Sequence, residues 1–326
     1  MKPVHLSPVH LSSAHPSPVH LSPIHSNLAP SLLVTGAAGQ LGRELVAAAA
    51  RAGITRIHAL GSAELDITDP AAVSDAVAGS VSSGGRRGTR LVVVNTAAYT
   101  AVDAAEREGA ARAHAVNAEG PANLARACAA HRAHLVQVST DYVFAGEGAG
   151  PNRADDPTAP RTVYGRTKLA GERAVLFSGA SAHVVRTAWL YSAHGGNFVR
   201  TMAARARGHE TVRVVDDQYG NPTWAADLAD GLIALALAAD RVPVGVLHCA
   251  NADATTWFGL ARAVFTEIGA DPDRVQPCRT AECSRPAPRP ANSVLDTTGW
   301  AAAGLPKLRH WRHALHAAVA AGVLAG

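Results

Sequence analysis

The stretch Ser31–Gly53, SLLVTGAAGQLGRELVAAAARAG, decides the fold. A short apolar run leads into a glycine turn, and the turn opens an Ala/Leu-rich run that favours helix. Gly36, Gly39 and Gly42 recur at three-residue spacing, with Gln40 and Leu41 between the last two. Bare backbone at that spacing turns sharply, comes close to a pyrophosphate and lets helix pack on strand, while the helix start offers amides and the positive end of a dipole. A strand-to-helix turn that holds no ligand is the plainer alternative at this point.

Working outward, Ile57 to Leu60 reads as the second strand of a Rossmann-type sheet. Such sheets commonly end this strand in an acid when they bind NAD, because a carboxylate there accepts from the adenosine ribose. Gly61 and Ser62 follow instead, neither acid nor arginine, so both NADPH and NADH are expected to be used. Asp66, in LDITDP, is placed to reach the adenine, with Ile67 beside it, whereas Asp69 and Pro70 read equally well as a helix cap and first-turn proline. A Gly/Arg/Ser loop at 82–90 is expected to be mobile. LVVVNTAAY, residues 91–99, then reads as a buried parallel strand opening into small residues, so Asn95–Thr100 should line the cofactor cleft. A helix is expected from near Asn117, and LVQVSTDYVF, 135–144, is a strand whose end carries Ser139, Thr140 and Asp141. The carboxyl end of a parallel strand is where α/β sheets bind ligands.

TVYGRTKLAGE, residues 162–172, sets Tyr164 and Lys168 four apart on a helix-compatible run. Residues i and i+4 share a helix face, and a nearby ammonium favours the phenolate, which would bring a phenol that normally titrates near ~10 toward working pH. Alone, the pair is common on solvated helix faces. It gains meaning from the strand-end hydroxyls just before it.

Composition sets the limits. With 326 residues, 48% of them hydrophobic, and a net charge of +4, the chain can bury a large core but has no basic block interleaved with aromatics, so a nucleic-acid surface is not indicated. No apolar run is long enough for a membrane span, and Cys128, Cys249, Cys278 and Cys283 lack metal-finger or disulfide-framework spacing, which points to a soluble cytoplasmic protein with reduced thiols and no metal site. Residues 1–30 repeat His every five positions among Ser and Pro, from His5 to His25, and are expected to be a disordered tail. Strand and helix patterns alternate through the rest. They imply an α/β doubly wound parallel sheet in 31–190, joined by part of the later chain, with a smaller C-terminal substrate-binding lobe in 191–326. Arg285 and Arg289 fall in the proline-punctuated CSRPAPRPANSVLDT, a stiff loop suited to clamping a diphosphate, with solvated arginines as the alternative.

In order, TGAAGQLG, LDITD, NTAAYTAVDAAE, VNAEGPANLA, STDYVFAG, YGRTKLAGE, RTAWLY, DDQYGNPT and RPANSVLDT together resemble the dTDP-4-dehydrorhamnose reductase family of the extended short-chain dehydrogenase/reductases. The resemblance runs from about Leu32 to the last helix. It implies a catalytic set of Thr140, Tyr164 and Lys168. It also implies cofactor contacts at Gly39, Gln40, Leu41, Asp66, Ile67, Ala97, Ala98 and Tyr99, and substrate contacts at Thr140, Asp141, Trp189 and Arg289. The expected reaction is reduction of the C4 ketone of a dTDP-4-keto-6-deoxy sugar by NADPH or NADH. Some members use magnesium, and a homodimer is open to the chain. Epimerases and dehydratases of the same superfamily share the Tyr and Lys, but a dehydratase places Asp then Glu after the threonine, and here Asp141 is followed by Tyr142. A methionine adenosyltransferase regulatory subunit also resembles the chain and need not turn over sugar; the intact Thr, Tyr, Lys set weighs against it.

Overall fold

The computed structural model describes residues 30–82, 90–283 and 285–324. The expectations for the histidine tail and for the 82–90 loop fall almost wholly outside the described residues.

The first half alternates as its pattern implies: β1 (Ser31–Thr35), α1 (Gln40–Arg51), β2 (Ile57–Leu60), α2 (Pro70–Ser82) and β3 (Leu91–Asn95). The short α3 (Val102–Ala105) and α4 (Ala110–His114) follow, then α5 (Gly120–His131), β4 (His134–Thr140), α6 (Val163–Leu176) and β5 (Ala182–Thr187). Later elements are β6 (Leu190–Tyr191), α7 (Phe198–Arg207), β7 (Val212–Val215), β8 (Tyr219–Gly220), β9 (Thr223–Trp224), α8 (Ala225–Ala238) and β10 (Gly245–His248). The chain closes with β11 (Thr255–Thr256), α9 (Trp257–Glu267), β12 (Val275–Cys278), α10 (Thr298–Ala302) and α11 (Trp311–Ala320).

Six parallel strands form the central sheet in the order β10-β5-β4-β3-β1-β2. Period-two alternation divides the side chains between two faces. Leu32, Val34, Val92 and Val94 pack with Leu45 of α1 and with Leu228, Leu232 and Leu235 of α8. Leu33, Leu91 and Val93 point the other way, onto Val73 and Val77 of α2 and Leu124 and Cys128 of α5. Helices on both faces explain why these strands read as continuous apolar runs. The strand order reverses between β1 and β3, which opens a crevice at their carboxyl ends.

A second core gathers later elements: Val199, Met202 and Ala206 of α7, Leu260, Val264 and Phe265 of α9, Val214, Val275, and Trp311 and Leu315 of α11. β7 and β12 pair beside it as a separate two-stranded sheet. Two sequence readings change in detail. The run HVVRTAWLY divides into β5 and β6, because Trp189 adopts a left-handed φ of 47° between them. The helix expected from near Asn117 extends back to Ala110, with a wide π-turn at Ala115–Glu119 in its middle. That turn frees Asn117 to accept from the Tyr99 amide at 2.9 Å and donate to its carbonyl at 3.0 Å, which ties helix to cleft.

Candidate active site

At the end of β1 the glycines meet steric demands that no other residue can. Gly36 has φ +70°, and a Cβ there would lie 2.6 Å from the Ala97 amide nitrogen; a Cβ on Gly42 would lie 2.3 Å from the Gly36 carbonyl oxygen. Helix α1 begins at Gly39 with no side-chain cap, so its first-turn amides are left for another acceptor. These features fit a dinucleotide diphosphate against the turn. Leu41 is buried in the sheet core, whereas Gln40 reaches the second core, accepting from Asn197 Nδ2 at 3.2 Å and Ser192 Oγ at 3.3 Å.

Beneath the crevice runs a buried polar ladder: Thr35 donates to Asn95 Oδ1 at 2.6 Å, and Asn95 Nδ2 donates to Gln137 Oε1 at 2.8 Å. Asn95 Oδ1 also accepts from the Ala97 amide at 3.0 Å, which fixes the Ala97–Tyr99 backbone along the rim. Asp69 caps α2 through the amides of Ala71 and Ala72. Asp66 folds onto Thr68, whose amide and hydroxyl hold its carboxyl below the usual range, and lies 3.8 Å from Arg112. Its neighbour Ile67 is buried.

The sequence reading of the second strand needs correction. Gly61 itself brings no charge, but Glu64 Oε2 accepts from the Gly61 amide at 2.8 Å, which puts a carboxylate at the end of β2 after all. A Cβ added to Gly61 would lie 2.9 Å from that oxygen and 3.1 Å from Ala38 Cβ, so the acid stands beside the glycine turn. The acid was missed because it sits three residues past the strand and folds back; the signal was the tight Gly-x-x-Glu turn, not the strand's last residue.

Thr140, the last residue of β4, donates its hydroxyl to Asp141 Oδ1 at 2.8 Å. Helix α6 starts at Thr162, whose Oγ1 accepts from the Gly165 amide at 2.9 Å, and this cap sets Tyr164 in the first turn. The Tyr164 ring is buried edge-on to Tyr142, with centroids 5.5 Å apart, and its phenol stands beside the Thr140 hydroxyl. Lys168 is buried one turn on and donates to the Val138 carbonyl at 2.7 Å. The structure reverses the expected tuning of the phenol. Burial dominates and pushes Tyr164 up to about 12, the Thr140 hydroxyl draws it down, and Asp141 raises it. Burial also lowers Lys168 to about 8, against Glu172. Desolvation raises fully buried Asp141 to about 6, opposed by Thr140 and by a Ser293 hydroxyl that falls short of a hydrogen bond, and its Oδ2 has no partner.

A cavity of about 220 Å³ opens between the sheet and the second core, lined by Gln40, Thr100, Trp189, Asn197, Phe198 and Trp257. Trp189 stacks on Trp257, rings 3.5 Å apart and nearly parallel, and donates Nε1 to Ser293 Oγ at 3.0 Å. Trp257 had not stood out in the sequence, since a tryptophan at a helix start carries no motif. A larger cavity of about 340 Å³, lined by Arg90, Cys128, His134 and Asp240, lies at the amino ends of the strands, away from the phenol and the glycine turn. Arg289 faces the site but is not free: it donates to Asp103 Oδ2 and to the Ala287 carbonyl, both at 2.9 Å, while exposed Arg285 lies 3.6 Å from the same Asp103. Among the described residues no group of three or more His, Cys, Asp or Glu could hold a metal ion, and no helix is long and apolar enough to cross a membrane.

A parallel sheet with a glycine turn at its switch point and a Thr, Tyr, Lys group at the next strand end defines a Rossmann-type protein of the short-chain dehydrogenase/reductase class. Comparison narrows this. Residues 30–323 match the RmlD substrate binding domain. The dTDP-4-dehydrorhamnose reductase of Streptomyces griseus is 54% identical over 289 residues, 88% of this chain and 92% of the relative. That of Mycobacterium tuberculosis is 52% identical over 295 residues, 89% and 92% of the two chains. A dTDP-4-dehydrorhamnose reductase from Bacillus anthracis, solved in complex with NADP, superposes with a TM-score of 0.81 at 32% identity, covering 90% of this chain and all of that one. The chain belongs to the RmlD family, the dTDP-4-dehydrorhamnose reductases.

Proposed function

We propose that this chain reduces the C4 ketone of dTDP-4-dehydro-L-rhamnose to dTDP-L-rhamnose with a reduced nicotinamide dinucleotide, supplying an activated sugar for cell-surface polysaccharide. The observation that carries this reading is the buried phenol of Tyr164 beside the Thr140 hydroxyl, at the strand ends that also carry the glycine turn. On this reading residues 31–190, with α8 and β10, bind the cofactor, and most of 191–326 binds the sugar nucleotide. Both ligands are charged nucleotides of the cytoplasm, where the enzyme would work.

The bound nicotinamide supplies hydride to the C4 carbon. Negative charge then gathers on the carbonyl oxygen, between two hydroxyl donors. Thr140, whose one proton rests on Asp141, turns it to that oxygen, and Tyr164, which burial keeps protonated at neutral pH, gives it the proton, so the alkoxide is never free. Lys168, with one hydrogen on the Val138 carbonyl, has others to give to the nicotinamide ribose. Asp141 holds the Thr140 hydroxyl and faces the sugar. Trp189 offers a flat apolar surface to the same sugar, and the diphosphate competes with Asp103 for Arg289.

The reading is tested by mixing the protein with dTDP-6-deoxy-L-lyxo-4-hexulose and NADH or NADPH and following reduced-nicotinamide absorbance. Turnover is expected, and Tyr164→Phe should lower kcat by ~10² to 10⁴, the usual contribution of a positioned acid. Unchanged turnover in that variant would remove Tyr164 from the chemistry.

A further inference from the structure

We infer that Glu64 reads the adenosine ribose and makes this chain prefer NADH over NADPH; the inference rests on the cofactor role proposed above and deepens it. In a sheet of this kind the adenosine ribose lies at the end of β2, beside the glycine turn. Here the two are tied together, since the Ala37 amide donates to the Leu60 carbonyl at 3.1 Å. The next backbone donor is the Gly61 amide, which an incoming 2′-phosphate would need, and Glu64 Oε2 already holds it at 2.8 Å.

The carboxylate is anchored on both sides. The Glu64 and Leu65 amides donate to the Gly61 carbonyl at 3.2 and 3.0 Å, and the Leu65 side chain is buried in the core under α2. The turn is thus closed reciprocally, as in a capping box, and Glu64 is set over Gly61 while Oε1 stays free to accept from a ribose hydroxyl. Glu64 is exposed, and no ion pair to it is found among the described residues.

The opposing feature is Arg43 on the first turns of α1, whose Nε donates to the Ala38 carbonyl at 3.0 Å and whose other nitrogens could meet a phosphate. Glu64 outweighs it by position. The acid occupies the strand-end amide itself, whereas Arg43 is bound to the outer carbonyl of the turn. A 2′-phosphate would have to displace the carboxylate from Gly61 and then sit beside it, two like charges in contact. The 2′-hydroxyl of NADH would donate to it. The Bacillus anthracis relative solved with NADP shows that the family as a whole does not fix this choice.

Binding of NADH and NADPH to the native protein and to Glu64→Gln, measured by calorimetry without sugar, tests the inference. The native protein should bind NADH at least tenfold more tightly. Glu64→Gln, which can still accept from Gly61 but carries no charge and has no second oxygen for the ribose, should bind NADPH at least fivefold more tightly than the native protein and NADH less tightly. Equal or tighter NADPH binding by the native protein, or an unchanged ratio in the variant, overturns the inference and leaves the reductase reading intact. If neither dinucleotide binds, the reductase reading itself falls.

Discussion

Asp141→Asn should make the protein more stable at neutral pH while impairing it as a catalyst. Burial raises the Asp141 carboxyl from 3.8 to about 6 in the folded chain. A raised folded value means that the stabilising contribution is complete below the unfolded pKa and lost as pH climbs through about 6; at neutral pH the native state therefore carries an uncompensated buried charge. Two units at about 1.4 kcal/mol each make that about 3 kcal/mol. Asparagine keeps an oxygen for the Thr140 hydroxyl but puts an amide where Oδ2 has no partner, which returns about 1 kcal/mol. The net gain, about 2 kcal/mol, corresponds to roughly 4 °C in Tm for a chain of this size. Near pH 5, where the folded carboxyl is largely protonated, about half of the charge effect should be gone. Thermal melts of both proteins near pH 7.5 and pH 5 check this, and kcat/KM should fall in the variant, stability having been given up at a working site. A variant that melts below the native protein at pH 7.5, or a difference independent of pH, would show that the buried charge is not the cost.

Two further outcomes follow from buried titrating groups. Lys168 is lowered to about 8, so cofactor affinity should weaken as pH rises through about 8, and Lys168→Met should bind more weakly with that pH dependence abolished; a native affinity flat from pH 7 to 9 would contradict the ribose role. His134 and His248 are lowered to about 3 and about 4 by burial, with His183 lowered too, while the unfolded chain protonates them near 6.5. The unfolded state then gains protons below 6.5 that the folded state refuses, at about 2 kcal/mol for each of His134 and His248 near pH 5, more than Asp141 gives back. Tm should drop between pH 6.5 and 5, and a flat or rising Tm there would mean that these rings charge in place.

Much of the cofactor half was legible because its constraints are local. Gly36 and Gly42 are forced by backbone contacts within the motif and the adjoining loop, and period-two burial on both faces left β1 and β3 as unbroken apolar runs. The phenol's position followed from an i, i+4 pair and a capping threonine. What the sequence hid depends on folding back or on burial. Glu64 returns to Gly61 through a turn, Asp103 meets Arg289 across 186 residues, and Trp257 comes under Trp189 only when the second core assembles. Tyr164 was misjudged in sign, because the spacing shows a nearby ammonium but not the desolvation that outweighs it.

The most direct test of the central claim follows the hydride itself. NADH carrying deuterium in its transferable C4 position is incubated with dTDP-6-deoxy-L-lyxo-4-hexulose and the protein, and the sugar product is examined by proton NMR. The account predicts dTDP-L-rhamnose with deuterium at sugar C4, formed one for one with oxidised cofactor, and the same label arriving far more slowly with Tyr164→Phe. Product without deuterium at C4, or a changed sugar with no net cofactor oxidation, would contradict reduction at that carbon.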